Sequence, residues 1–326
     1  VVAKVRRVFM TKAVGHAGTL DPMADGLLIL LLGEATKFSH YIMGQDKKYS
    51  AEIQLGLETD SWDAEGELLT SPEVHGLKNM DLTEAHILKA VSDMQGDLSL
   101  QVPIHSAVKI QGQKLYDYAR KGKAIVPPTR VMKFYRSELK NFVSNPAFFI
   151  KGADYQTLQL NVDLDCEKGS YIRSWVHHLG KNLGCGALMS GLTRHQSGAF
   201  NLDGAVDYNE LLKIDQLRMD FKKQPEHSEL KDQIAQNLLK LSQQIIDLKT
   251  CIHGPFFRVV PSEIKLLKNG QIPNDLNLRM RPLLKNCQNQ NTSLLIRVFD
   301  SSLQNMIAIL ELAPTGRPKI IRAFQN

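Results

Sequence analysis

Cysteine is scarce in this chain, with four in 326 residues, at positions 166, 185, 251 and 287. None forms a Cys-x-x-Cys pair or falls at zinc-finger spacing, which implies reduced thiols in a cytoplasmic protein. Long apolar runs are missing too. The longest, Leu27 to Leu32, has six residues and falls far short of a membrane span. The N-terminus carries no signal-peptide pattern. No G-x-G-x-x-G follows a strand pattern and no Walker A loop occurs, which removes the commonest nucleotide cradles. His177 and His178 lie between Cys166 and Cys185, but adjacent helical residues point in different directions, so no zinc site is read there. Asp63-Ala64-Glu65-Gly66-Glu67 is rich in carboxylates, yet its spacing is wrong for an EF-hand and its surroundings read as a hairpin turn. No Ser-His-Asp or Cys-His arrangement has a recognisable context. Neither a metal nor an organic cofactor is expected.

What is present is a globular composition, 43% hydrophobic and 23% charged, with a net charge of +6. The length suits one large domain plus a small one. The positive balance is a mild footprint of nucleic-acid binding. One stretch concentrates chemistry: Gly15-His16-Ala17-Gly18-Thr19-Leu20-Asp21-Pro22. Its glycines permit backbone conformations that other residues avoid, and Pro22 biases Asp21 toward an extended one. The apolar run behind it reads as a buried strand fixing a tight loop that presents one carboxylate. A plain surface turn uses the same residue types.

Along the chain, Val1, Val2, Val5 and Val8 fall on a helical period with basic residues between them. A helix over 35–41 leads to a strand in which Tyr49, Ala51, Ile53 and Leu55 alternate with polar residues. Residues 58–97 hold ten acids against Lys78 and Lys89, and are expected to face away from any RNA. A helix over 83–95 has Thr83 as its N-cap. Residues 105–136 reverse the sign, with eight Lys or Arg, one acid and interleaved Tyr116, Tyr118, Phe134 and Tyr135. This suits phosphate contact, or a solvated helix face followed by a loop. Alternation over 157–166 gives a strand, and Ser170 caps a helix with Ile172, Trp175, Val176, Leu179 and Leu183 on one face, ending at Gly184. Arg173 falls off that stripe, as a surface arginine would. Leu230, Ile234, Leu238, Leu241, Ile245 and Leu248 make one face of a long amphipathic helix. From about Phe256 three short strand patterns, over 294–299, 307–312 and 320–324, suggest a small basic β domain.

Gly-His-Ala-Gly-Thr-Leu-Asp-Pro resembles the catalytic loop of the TruB family of tRNA pseudouridine synthases. Asp46-Lys47-Lys48-Tyr49, the 106–120 segment from Ser-Ala-Val-Lys to Tyr-x-x-Ala-Arg, and Lys168-Gly169-Ser170-Tyr171-Ile172-Arg173 are similar to further motifs of that family, in the same order. Leu192-Thr193-Arg194 resembles its Leu-Arg-Arg segment, with Thr193 departing from it, and Leu267-Lys268-Asn269-Gly270 resembles its Leu-x-Asn-Gly turn. The resemblance implies that Asp21 is catalytic and that Arg173 pairs with it. It implies that Tyr49 stacks on the target base, Tyr171 lies beside it, Leu192 walls the pocket and His16 stabilises a flipped-out nucleotide. Lys48, Lys109, Lys114, Arg120 and Arg194 are the implied RNA contacts. Two further departures stand out. The family's strand and Lys-Pro turn before the first helix have no counterpart in these residues. Asp25 puts a second carboxylate four residues from Asp21, where shared burial would set like charges against each other.

The resulting expectation is an α+β protein. A catalytic domain over 1–252 has a mixed, largely antiparallel sheet flanked by helices and a helical insertion at 213–252, and a small β-rich PUA-like RNA-binding domain follows over 253–326. The implied activity is cofactor-free isomerisation of uridine 55 in the T stem-loop of tRNA by a cytoplasmic monomer. A guide-dependent enzyme of H/ACA type and a tRNA-binding folding factor with little catalysis are the alternatives.

Overall fold

The computed structural model describes residues 1–71, 73, 82–121, 125–252 and 254–324. Lys78 and Asp81 of the acidic stretch and Lys123 of the basic one lie outside them. The chain divides into two compact units, Val1–Leu238 and Leu239–Asn326.

The first unit opens with α1 (Val2–Val8), which buries Val5 and Val8. Strand β1 (Val14–Ala17) pairs antiparallel with β3 (Ile29–Leu32), and β2 (Ala24–Gly26) lies between them in sequence. The helix expected over 35–41 is instead a 3-10 turn, Gly33–Phe38, running into α2 (Ser39–Met43). Next come β4 (Lys47–Leu55) and the hairpin of β5 (Glu58–Thr59) with β6 (Leu68–Thr70). Helix α3 (Glu84–Asp93) is capped by Thr83, whose hydroxyl accepts the His86 N–H. After β7 (Gly96–Gln101), the short strands β8 (Lys109–Ile110) and β9 (Gln113–Lys114) pair before α4 (Leu115–Arg120). The long strands β10 (Thr129–Ile150) and β11 (Ala153–Cys166) turn at Lys151-Gly152, both with positive φ, as a two-residue hairpin turn needs. Helix α5 (Ile172–Leu183) ends where Gly184 takes a left-handed φ of 74°. Strands β12 (Ala187–Ser197) and β13 (Phe200–Asn201) and helices α6 (Tyr208–Lys223) and α7 (Ser228–Ser242) complete the walk.

The main sheet runs β13-β12-β4-β11-β10-β7, antiparallel throughout, with β2 joining β12 in parallel. The period-two alternation in β4 and β11 puts Ala51, Ile53, Leu55, Leu160, Val162 and Leu164 into the core beneath α3 and α5. Helix α5 contributes Ile172, Trp175, Val176 and Leu179. Trp175 is fully buried, and its indole N–H donates to the Met94 carbonyl at 2.9 Å. That bond satisfies the one polar atom of a large apolar body.

The long helix expected over 230–248 is broken. The chain leaves α7 after Ser242, and Asp247 caps a separate short helix, α8 (Leu248–Cys251), by accepting the Lys249 N–H. Ile234 and Leu241 are buried, whereas Ile245 is exposed. In the second unit, β14 (Phe256–Val259), α9 (Pro261–Lys268), α10 (Asn274–Gln290), β15 (Leu294–Asp300), β16 (Met306–Leu312) and β17 (Lys319–Ala323) form a four-stranded sheet with two helices over one core. The three expected strands are there. The helices were not expected, because α10 is dilute in apolar residues and carries Pro282 inside it. No helix among the described residues is long and apolar enough to cross a membrane.

The N-terminal helix is held by α6. Arg7 Nε and Nη2 donate to the two oxygens of Asp215 at 2.7 Å each, and Arg218 Nε donates to the Val8 carbonyl. Asp215 is buried, and its hydrogen bonds from Arg7 hold its pKa below the ordinary carboxylate value. A depressed folded pKa gives stability that is present above the unfolded value, about 3.9, and lost as pH falls through the folded one. Arg7→Met is therefore expected to lower the urea midpoint at pH 7, with the gap to wild type closing as pH is taken below about 4. Urea titrations at a series of pH values measure it.

Candidate active site

Arg173 is only 5% exposed, although the helical pattern placed it off the apolar stripe. Burying a guanidinium requires partners for its five N–H groups. Nε and Nη2 donate to Asp21 Oδ2 and Oδ1 at 3.0 and 2.9 Å. Nη2 also donates to the His105 carbonyl at 3.2 Å, and Nη1 to the Ser61 carbonyl at 3.3 Å. Nη1 further lies 3.2 Å from Asp63 Oδ2. One cation thus faces two carboxylates, and the two differ in access. The Asp21 side chain is 32% exposed and that of Asp63 is 5% exposed. Only Asp21 can meet a substrate.

The loop carrying Asp21 is held from inside by a second arginine. Arg194 is 1% exposed. Its Nε donates to the Leu27 carbonyl at 2.8 Å, and its Nη atoms donate to the carbonyls of Thr19 and Gly18. The Leu27 N–H returns a bond to the Arg194 carbonyl at 2.8 Å. Two glycines make this wrapping feasible. Gly26, at φ +90°, has no room for a side chain, since a Cβ there would sit 2.5 Å from the Arg194 carbonyl oxygen. Gly18, at φ +99°, lies against the guanidinium itself. The expectation of Arg194 as an RNA contact is corrected here. Its polar atoms are turned inward onto the loop and offer nothing to a phosphate.

Tyr49, Tyr171 and Leu192 all pack against the main core at the same end of the sheet. In register, Tyr49 of β4 lies opposite Arg194, and Leu192 lies between Ala51 and Ala24. Burial pushes the Tyr49 phenol up to about 12, so it stays neutral. Tyr171 precedes α5 and sits two residues before Arg173. His16 lies on β1 and is half-buried, with its Nδ1 enclosed and without a hydrogen-bond partner. The structure therefore gathers Asp21 and Arg173 by direct contact and gathers Tyr49, Leu192 and Arg194 by register.

The remaining residues separate from this group. Lys48 points to the face of β4 opposite Tyr49 and is 3.6 Å from Asp165. Lys109 and Lys114 face each other across the β8–β9 hairpin, and Arg120 ends α4. Lys109 and Arg120 are exposed and Lys114 is half-buried, on a segment whose first residues reach Arg173 through His105. Asp25 is exposed on β2, so the shared burial considered for Asp21 and Asp25 does not occur. The acidic stretch does not face wholly away from the site, because its Asp63 lies against Arg173. Asp63 is the functional residue that sequence reasoning missed. A tryptophan set among small polar residues in a turn, Ser61-Trp62-Asp63, was the available signal that this turn is buried. Among the described residues no group of three or more His, Cys, Asp or Glu is placed to hold a metal ion.

Comparison with known proteins places the chain in a family. Residues 6–172 match the family described as TruB family pseudouridylate synthase, N-terminal domain, and residues 173–238 match the tRNA pseudouridylate synthase B C-terminal domain. The protein of Bdellovibrio bacteriovorus named tRNA pseudouridine synthase B is 36% identical over 99% of this chain and 91% of its own length. The protein of that name from Dehalococcoides mccartyi is 41% identical over 65% of this chain and 64% of its own length. Among solved structures, a Cbf5-Nop10-Gar1 complex matches with a TM-score of 0.57 at 19% identity, over 99% of this chain and 79% of that one. An H/ACA RNP bound to a substrate RNA matches with a TM-score of 0.58 at 16% identity, over 100% and 80%. At those identities the likeness concerns the fold.

Removing the inner clamp tests its structural role. Arg194→Met leaves the carbonyls of Gly18, Thr19 and Leu27 without their donor, at a cost of about 2–4 kcal/mol. Gly26→Ala, which drives a Cβ into the β12 backbone, is expected to cost at least as much as an ordinary overpacking change, about 1–3 kcal/mol. Urea unfolding of both variants checks these values.

Proposed function

The chain belongs to the TruB family of pseudouridylate synthases, and from that premise we propose that it is a stand-alone tRNA pseudouridine synthase. It isomerises uridine 55 of the T stem-loop, as a cytoplasmic monomer and without a cofactor. The observation that carries this reading is the pairing of Asp21 with Arg173: one reachable carboxylate, held in a fixed orientation by a buried cation.

The chemistry is an exchange of one glycosidic bond for another. The C1′–N1 bond breaks, the uracil rotates, C5 bonds to C1′, the C5 proton leaves to solvent and N1 takes up a proton. Asp21 engages the nucleoside as nucleophile or general base. Arg173 fixes both carboxylate oxygens and so defines where that group points. A uridine stacked in a loop is out of reach, so it must be flipped out. Tyr49 supplies a flat, neutral face for the extruded base, Leu192 supplies an apolar wall, and Tyr171 closes the side next to Arg173. His16, half-buried on β1, is the residue assigned to stabilise the flipped nucleotide. Lys109, Lys114 and Arg120 present positive charge to the backbone. The second unit adds a basic surface in the position of a PUA-like module. The relatives named tRNA pseudouridine synthase B support the stand-alone reading over the guide-dependent one. A site with its carboxylate and cation in place supports catalysis over a folding factor alone.

Tritium release from tRNA transcript labelled at uridine C5 tests the proposal with purified protein alone. About one equivalent per tRNA is expected from the wild type. Asp21→Asn is expected to reduce the rate by about 10⁴-fold or more, and a transcript with cytidine at position 55 to be inert. No release by a folded wild type that binds tRNA would refute the reading.

The backbone contacts have a separate signature. Lys109→Ala and Lys114→Ala are each expected to lower the slope of log affinity against log salt by about 1. Arg194→Met, whose cation faces inward, is expected to leave that slope unchanged in binding titrations from about 50 to 200 mM salt.

A further inference from the structure

Helix α5 buries a histidine of which the chemistry above makes no use. His177 follows Arg173 by four residues, one helical turn further along the same face. It is 7% exposed. Its Nδ1 lies 3.2 Å from Glu58 Oε1, and its ring stacks on Trp62 with centroids 4.2 Å apart and planes 9° apart. Glu58 opens the turn that leads to Asp63, and Trp62 immediately precedes Asp63. His177 therefore grips both ends of that short segment.

The segment needs gripping. Trp62 has φ +64°, a left-handed conformation that a bulky residue adopts only where its surroundings enforce it. The enforcing contacts are the ring stack and two backbone bonds to β12, Met189 N–H to the Trp62 carbonyl and Ala64 N–H to the Met189 carbonyl, both 3.0 Å. Within the turn, Thr59 Oγ1 donates to the Asp63 carbonyl at 2.6 Å and Ser61 Oγ donates to Asp63 Oδ1 at 2.5 Å. This backbone path aims the Ser61 carbonyl and Asp63 Oδ2 at the same nitrogen, Arg173 Nη1.

We infer that His177 is a positioning residue for the isomerisation: through Glu58 and Trp62 it sets the turn that presents Asp63 and the Ser61 carbonyl to Arg173, and so fixes the guanidinium that orients Asp21. The inference rests on the synthase reading. It assigns a task to a histidine one helical turn from the site, and it makes α5 the source of both the cation and the latch on that cation's second carboxylate.

The test is steady-state tritium release by His177→Ala, Asp63→Asn and the double variant, with tRNA affinity and thermal unfolding measured alongside. His177→Ala is expected to lower kcat about tenfold, with KM changed less than about twofold. The double variant is expected to lose clearly less than the product of the two single losses, because one change acts largely through the other. Glu58→Ala reaches the same latch from the turn and is expected to lower kcat in the same way. Should His177→Ala fail to fold, Glu58→Ala combined with Asp63→Asn decides the point by the same non-additivity. Wild-type turnover in His177→Ala or Glu58→Ala, or a double variant whose loss is the product of the two single losses, overturns the inference. In that failure the wild-type protein is active, whereas failure of the synthase reading shows as a wild type that releases no tritium.

Discussion

The structure depends on burying one cation. A guanidinium taken out of water must be compensated on nearly all its N–H groups, or the fold cannot tolerate it. Arg173 meets that condition by drawing acceptors from three separate segments: the carboxylate of Asp21, the Ser61 carbonyl and Asp63 carboxylate of one turn, and the His105 carbonyl. Each segment is thereby tied to α5, and through Trp175 and its neighbours α5 is tied to the sheet. The two carboxylates then divide the work by access. Asp63 is enclosed and balances the charge, while Asp21 stands at the open end.

A second buried arginine acts by a different principle. Arg194 bonds to main-chain carbonyls, and no carboxylate is among its hydrogen-bond partners. It gives the loop its shape, whereas Arg173 gives the carboxylate its direction. Because β2 pairs with β12 in parallel beside it, the loop is held both by a ladder and by a side chain passing through it. This explains why an eight-residue motif so rich in glycine can hold a fixed geometry. Its freedom is removed by a strand that lies more than 160 residues later in sequence.

What was legible in the sequence follows from the range of the interactions. The alternation in β4 and β11 and the apolar stripe of α5 are local, and the structure has them where the pattern put them. The loop around Asp21 and the arginine at 173 were legible only through resemblance, because helical periodicity by itself assigned Arg173 to the surface. Arg194 was misread for the same reason. Nothing local distinguishes an arginine facing phosphate from one facing the carbonyls of a distant loop. Asp63 was hidden among ten acids whose collective charge suggested solvent, although the neighbouring Trp62 already required burial. The long helix expected across 230–248 ends after Ser242, and Asp247, a short polar side chain that offers the backbone a cap, starts a separate helix, so that an apolar period continues through a break.

The electrostatics of the pocket follow from these placements. Tyr49 is held neutral by burial, with its pKa pushed up to about 12, so it adds no charge to the site. Lys48 is on the other side of the sheet, and Arg194 is turned inward, which leaves Arg173 as the cation in contact with the Asp21 carboxylate. Together with Asp21 and Asp63 it forms a set of two negative charges and one positive. Such a site has no surplus positive charge with which to hold a polyanion. The proposed function accordingly assigns affinity for the RNA backbone to residues outside it, Lys109, Lys114 and Arg120. The proposed function thus assigns binding and chemistry to different surfaces of the same unit, so that each can be altered without dismantling the other.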